Sequence, residues 1–272
     1  SPTSQSTEEF NSSGSVITAG AYASSPNVSY GVDNGCATSG TLVSAVCSGG
    51  YNSPLGPGTV SYIAKAASWN GTAWSNITDL PARRTNACSV ATSAPTFYTF
   101  GGMNSPGPST NLYLTTTMKW DGSSWTAGPA MAQDCNNAAA AGTPTAIVTA
   151  GGNDPSPNDD NIQLYDGSSW TNSPVNLPVA TGGMGGVGTQ TAALFFGGYP
   201  PSEPAGTKTT SEWNGASISA GGEMNYALLN CSGSGTQTAA LSYGGRLAGS
   251  KNALGMTYDG TAWATSPSLA NA

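Results

Sequence analysis

A short phrase recurs along this chain and restricts its fold more than any other feature. An aromatic residue is followed by Asn or Asp, Gly, two small residues and then Trp. It reads Trp69-Asn70-Gly71-Thr72-Ala73-Trp74, Trp120-Asp121-Gly122-Ser123-Ser124-Trp125, Tyr165-Asp166-Gly167-Ser168-Ser169-Trp170 and Tyr258-Asp259-Gly260-Thr261-Ala262-Trp263. Trp213-Asn214-Gly215-Ala216-Ser217-Ile218 closes on Ile, and Phe10-Asn11-Ser12-Ser13-Gly14-Ser15 is a degenerate copy. Asn-Gly or Asp-Gly between apolar runs predicts a tight β-hairpin, with positive φ at both turn residues. The flanking aromatics then pair across the two strands.

Each phrase has a companion, an apolar run ending in Gly-Gly, as in Thr96 to Gly102 and Ala192 to Gly198. The first glycines, Gly49, Gly101, Gly151, Gly197 and Gly244, are spaced 52, 50, 46 and 47 residues apart. A period near 50 residues with four strands per unit is that of kelch repeats. In strands lettered a to d, Gly-Gly closes b, the aromatic before Asn/Asp-Gly closes c, and the next Trp opens d. A small-residue stretch such as Asn86 to Ala91 makes a, the innermost strand. The chain thus resembles kelch-type β-propellers over nearly its whole length. Gly188-Thr189-Gln190-Thr191-Ala192-Ala193-Leu194 and Gly235-Thr236-Gln237-Thr238-Ala239-Ala240-Leu241 are similar to kelch-like repeats of aquatic bacteriophage structural proteins. The first and third units are looser in wording.

These readings predict an all-β propeller in a single domain, residues 1–272. Five full blades are expected at about 33–80, 83–129, 133–174, 181–221 and 226–267, and a half blade at 4–20. Six blades result if the half blade is completed. Completion by a neighbouring protomer, by a longer natural chain, or a five-bladed ring with a loose terminal hairpin are three alternatives, and an open sheet edge is a template for another strand.

Composition removes most chemistries. There is no histidine among 272 residues, so a Ser-His-Asp or Cys-His site and imidazole-bound copper or zinc are excluded. The copper chemistry of galactose-oxidase-type kelch propellers therefore does not carry over. Lys and Arg number 7 against 14 Asp and Glu, for a net charge of −7, which leaves no basic stripe for nucleic acid. No run of 18 apolar residues exists, so no helical membrane span is expected, and no signal-peptide pattern is visible. Sialidases carry an Asp-box and an arginine cluster. Here Asp and Gly are adjacent, and the arginines are only Arg83, Arg84 and Arg246. Asp134, Glu212 and Glu223 are the acids nearest to a hydrolase pair, though no spacing singles them out. Gly183 to Gly188 matches G-x-G-x-x-G but falls on strand a with no helix to follow.

Five cysteines remain. Cys36, Cys88 and Cys231 each stand 13 residues before a Gly-Gly pair and take equivalent inner-strand places. Buried free thiols are the expectation, with a Cys36–Cys47 disulfide as the alternative. Asn-x-Ser/Thr sequons at Asn11, Asn27, Asn70, Asn76 and Asn230 match the number chance gives in so Asn- and Ser-rich a chain.

Function on a propeller lies in the loops. The segments after Gly-Gly are irregular and unlike one another. Tyr51, Asn104, Tyr199 and Glu203 are the candidate ligand-binding residues, and Asp154, Asp159 and Asp160 are candidate oxygen ligands for a structural Ca2+. The expectation is a non-enzymatic structural or adhesion protein, extracellular or in a virion, such as a phage tail fibre, receptor-binding or decoration component. Its partners are a host cell-surface glycan or other subunits of a larger assembly. The alternative is a subunit of a bacterial filament or surface matrix that shares strands of the incomplete blade.

Overall fold

A computed structural model describes residues 7–11, 21–32, 36–41, 43–52, 61–93, 96–107, 110–153 and 159–269. Among them there is no helix. Contacts divide the chain into two compact units. Unit 1 holds Ser1–Thr7, Ser25–Asn137 and Gly167–Trp170, and unit 2 holds Glu8–Ser24, Ala138–Asp166 and Thr171–Ala272.

Among the described residues, five four-stranded sheets, each in chain order from edge to edge, make the frame. The first contains Ala37–Thr41, Ser44–Ser48, Ala66–Trp69 and Trp74–Asn76. The second contains Cys88–Ser93, Thr96–Phe100, Thr117–Trp120 and Trp125–Ala127. The third contains Ala139–Thr143, Ala146–Gly152, Asp159–Tyr165 and Trp170–Asn172. The fourth contains Gly185–Thr189, Ala192–Phe196, Thr210–Trp213 and Ile218–Ala220. The fifth contains Ser232–Thr236, Ala239–Tyr243, Gly255–Tyr258 and Trp263–Ser266. All their ladders are antiparallel, as a meander requires. The G-x-G-x-x-G run opens a strand, as the spacing predicts.

The core follows the repeat. In unit 1, Ala37 and Val46 of the first sheet pack on Phe97 and Trp120 of the second. In unit 2, Val148, Ala150 and Ile162 pack on Phe195 and Trp213, and Leu194 and Phe196 pack on Met256, Tyr258 and Trp263. The cross-strand aromatics meet as the sequence implies. Trp69 faces Trp74, Trp120 faces Trp125, and Tyr258 faces Trp263, with ring centroids 5.7, 5.3 and 5.1 Å apart.

The Gly-Gly pairs are joints between repeats. Gly50 N donates to Arg84 O and Gly102 N to Cys135 O in unit 1. Gly152 N donates to Thr181 O and Gly198 N to Leu228 O in unit 2. Each acceptor belongs to the segment leading into the next repeat. A Cβ on the first glycine would lie 2.4 Å from Arg84 O at Gly49, 2.4 Å from Cys135 O at Gly101, 2.2 Å from Thr181 O at Gly151 and 2.5 Å from Leu228 O at Gly197. All four have positive φ. Only glycine meets both demands.

The Asn/Asp-Gly turn differs from the two-residue form expected. Gly71, Gly122, Gly167, Gly215 and Gly260 have positive φ, but the Asn or Asp before each does not. The loop has four residues, closed for example by Asn70 N on Ala73 O. The cause is the side chain. Asn70 Oδ1 accepts from the Thr72 and Ala73 amides at 3.0 and 2.9 Å, and Asp121 Oδ1 accepts from Ser123 and Ser124 at 2.8 Å each. Asn214 and Asp259 do the same. An Asx side chain replaces the mirror-image turn.

Near the start, Thr7–Asn11 pairs with Ala21–Ser25. The return strand therefore lies beyond the expected 4–20 boundary, and residues 12–20 fall outside the described residues.

The cysteine expectation needs amending too. All five are free. Cys88 opens its strand, whereas Cys36 and Cys231 each precede theirs. Cys47, Cys88, Cys135 and Cys231 are buried, but Cys36 is exposed.

Candidate functional site

The described residues of the segments after the first two Gly-Gly pairs form two-stranded ladders. In unit 1, Tyr51–Asn52 pairs with Ser61–Tyr62, and Met103–Gly107 pairs with Thr110–Tyr113. Thr85 bridges Met103, which ties the second hairpin to the strand-a approach. These two-stranded extensions hold three half-buried tyrosines. Tyr51 lies opposite Tyr62, and Tyr113 lies opposite Met103. Burial pushes the Tyr62 phenol above its ordinary value, and the Tyr113 and Tyr51 phenols within electrostatic reach add to the rise. Tyr51 and Tyr62 thus pair across one extension, and the Tyr113 phenol of the other is within electrostatic reach.

Asn104, on the same hairpin as Tyr113, faces Leu112. Its amide oxygen is buried with no hydrogen-bond partner among the described residues. Tyr62 and Tyr113 escaped the sequence reading. A signal existed, since they stand 12 and 11 residues after the second glycine of their pairs, each shortly before strand c.

Unit 2 holds a different arrangement. Gly182 bridges Tyr199, and Asn153 Nδ2 donates to Tyr199 Oη at 2.6 Å. The ring lies on bare backbone. A Cβ on Gly183 would stand 2.6 Å from Tyr199 Cε1 and 2.4 Å from Asn230 Oδ1, and one on Gly182 would stand 2.2 Å from Asn153 Oδ1. These glycines of the G-x-G-x-x-G neighbourhood make room for a tyrosine and two amides. Glu203 is exposed in a turn, where its amide donates to Pro200 O and its carbonyl accepts from Gly206 N. Tyr51 and Asn104 belong to unit 1, while Tyr199 and Glu203 belong to unit 2.

Of the three acids named for Ca2+, Asp154 lies outside the described residues. Asp159 Oδ1 accepts from Asn161 N at 3.0 Å and from Asn161 Nδ2. Asp160 Oδ1 accepts from Asn176 Nδ2 at 3.1 Å. Among the described residues no group of three or more Asp, Glu, Cys or His is placed to hold a metal ion.

Of the acids considered for hydrolysis, Asp134 is half-buried. Glu212 Oε1 accepts from Tyr258 Oη at 2.6 Å, and burial with that bond pushes the tyrosine up to about 12. Glu223 is exposed. No helix among the described residues is long and apolar enough to cross a membrane.

No protein-family model matches the chain, and no curated protein matches it in sequence. Solved structures match in fold. One titled "Structure of YjhT" superposes with a TM-score of 0.75 at 13% identity, covering 98% of each chain. At that identity the likeness concerns the fold alone. Together with the four-stranded antiparallel sheets, it supports a kelch/β-propeller-like fold.

Proposed function

We infer that this chain is a non-enzymatic binding module of an extracellular or virion assembly, which engages a surface glycan through the hairpins that follow Gly-Gly. The observation that carries this reading is the set of half-buried tyrosines on these extensions, Tyr51 opposite Tyr62 with Tyr113 within electrostatic reach. Half-buried phenols offer flat apolar faces to a sugar ring and hydroxyls to its edges. The amide of Asn104 on the same hairpin adds neutral hydrogen-bonding capacity. The frame beneath is built from repeated joints, so these rings are held at little further entropic cost. The chain's low charge fits a neutral polysaccharide better than a charged polymer. Five complete blades with a sixth incomplete, and a place on a phage tail fibre or capsid, are the finer form of this proposal. It rests on the wording of the Gly-Thr-Gln-Thr-Ala-Ala-Leu repeats.

The test is binding of the purified chain to a panel of host-surface polysaccharides. Tyr62→Ala and Tyr113→Ala are expected to weaken binding by about tenfold or more each, the weight of an aromatic anchor, with little change in melting. A null result across the panel with the wild-type chain would overturn the glycan reading and leave an architectural part. Electron imaging of the native assembly then separates a particle component from a one-subunit filament.

A further inference from the structure

Outside these tyrosines, unit 1 holds a pair of thiols in unlike surroundings. Thr38 lies opposite Cys47 in the first sheet. Cys36 stands two residues before Thr38, just ahead of the strand, a place that strand alternation puts diagonal to Cys47. The two thiols lie within electrostatic range of one another. Cys47 is 2% exposed and also accepts a hydrogen bond from Tyr30 Oη at 3.3 Å. Cys36 is exposed, with Thr38 Oγ1 at 3.6 Å.

We propose that Cys36 and Cys47 are a peroxide-reactive dithiol, in which Cys36 takes the oxidant and Cys47 closes a disulfide onto it. The division of labour follows from position. Cys36 is reachable from solvent, and its interactions with Cys47 and Thr38 favour its thiolate. The interaction with Cys36, and then burial, push the Cys47 thiol up and keep it protonated. Tyr30 stays protonated as well, raised first by its burial, so it remains a donor to Cys47.

In the first step the Cys36 thiolate attacks an oxygen of a hydroperoxide. A sulfur–oxygen bond forms, the oxygen–oxygen bond breaks, and the alcohol or water leaves after taking a proton. Cys36 is then a sulfenic acid. In the second step Cys47 sulfur attacks Cys36 sulfur, and the hydroxyl leaves as water with the Cys47 proton. Two thiols lose two electrons in all, and the peroxide gains them. A disulfide needs Cα atoms within about 7 Å, and diagonal sheet neighbours stand at about 7–8 Å, so closing the bond needs a small backbone shift. Cys36 precedes the strand Ala37–Thr41, so the ladder does not fix its backbone.

The experiment uses the full, reduced chain with hydrogen peroxide as probe. Denaturing alkylation is followed by intact-mass and peptide analysis. Five alkylated cysteines are expected before oxidation. Three are expected after it, with one cross-linked peptide joining Cys36 to Cys47, and a dithiol reductant restores the other two. Cys36→Ser, an exposed change, should keep its four remaining thiols alkylatable after peroxide. Persistence of all five labels in the wild type, Cys36 ending as sulfinic acid, or a bond between other cysteines would each refute the pairing. A Cys36→Ser chain that still loses two thiols to peroxide would do the same.

Discussion

The fourth and fifth sheets share the Gly-Thr-Gln-Thr wording, whereas the first and second repeats lack it, and the structure shows what the wording does. Gln190 sits in the turn between strands a and b of the fourth sheet. Its Nε2 donates to Ile147 O at 3.1 Å and Tyr165 O at 2.6 Å in the third. Gln237 repeats the reach, to Ala193 O at 3.0 Å and Trp213 O at 2.8 Å. One side chain thus ties strands b and c of the preceding repeat to the next hairpin. Trp213 Nε1 in turn donates to Gln190 O at 2.8 Å. In the first two repeats Leu42 and Ala94 stand where the glutamines would be. The d-strand tryptophans differ as well. Trp263 is buried on Phe196 at 5.0 Å, and Trp170 on Phe100 at 5.1 Å, each aromatic partner standing just before Gly-Gly. The corresponding residue ahead of the second repeat is Ser48. Trp125 is only half buried, lies on Phe97 of its own sheet and donates to Thr78 O at 2.7 Å. The two regions share backbone joints and differ in side-chain staples.

The largest effect should come from the feature they share. Gly101→Ala in the second repeat and Gly197→Ala in the fourth each place a Cβ against a backbone carbonyl at 2.4 and 2.5 Å, at φ of 63° and 64°. Backbone strain and overpacking together make about 3 kcal/mol or more in either case. Gly249→Ala, at φ 83° with nothing within 4 Å, costs only the conformational part, about 1 kcal/mol. Denaturant melts of the three variants decide the matter. A mild Gly101→Ala beside a severe Gly197→Ala would mean that the joints are not equivalent.

The staples come next. Gln190→Ala and Gln237→Ala each remove two bonds to carbonyls in half-buried surroundings, for about 1–3 kcal/mol. Hydrogen exchange should then rise at the third-fourth and fourth-fifth sheet boundaries respectively, and not elsewhere in unit 2. Equal loosening throughout would show that the glutamines act on global stability rather than on one boundary.

These staples also mark how far the sequence could be read. Strand order, the paired aromatics and the Gly-Gly period follow from local chemistry, because each is fixed within a hairpin or by a backbone conformation only glycine adopts. Gln190 was legible as part of a repeated phrase but not as a bridge, since its acceptors lie 43 and 25 residues earlier in the chain. The same limit hid the electrostatic reach of Tyr113 to Tyr62, 51 residues apart on different hairpins, whereas Tyr62 is a cross-strand partner of Tyr51 on one hairpin. Tyr51 and Tyr199 were visible because they follow Gly-Gly directly, and Asn104 because it stands one residue further on. The mirror-image turn was misread for a different reason. Asn/Asp-Gly serves two turn geometries, and the small residues that follow, with amides free to meet the Asx oxygen, select the four-residue one.

The smallest expected effect uses the repeats as their own control. Asn70 and Asn214 cap their turns in the same manner as Asp121 and Asp259, so the negative charge is not needed for the turn. A double Asp121→Asn, Asp259→Asn variant should melt like the wild type at neutral pH. The two conditions separate in acid. The Ser124 and Ser123 amides hold the Asp121 carboxyl below its usual range, and the Ala262 amide with the Thr261 hydroxyl and amide does so for Asp259. A carboxylate with a depressed folded pKa adds stability above the unfolded value of about 3.9, and that stability is lost as pH falls toward the folded value. Both carboxylates are exposed, so the loss is small and salt reduces it. From about pH 4 downward the melting temperature of the wild type should therefore fall more steeply than that of the double variant. Parallel slopes would mean that the aspartates gain nothing from their caps beyond what the asparagines supply, and the turns of the two regions would then be energetically alike.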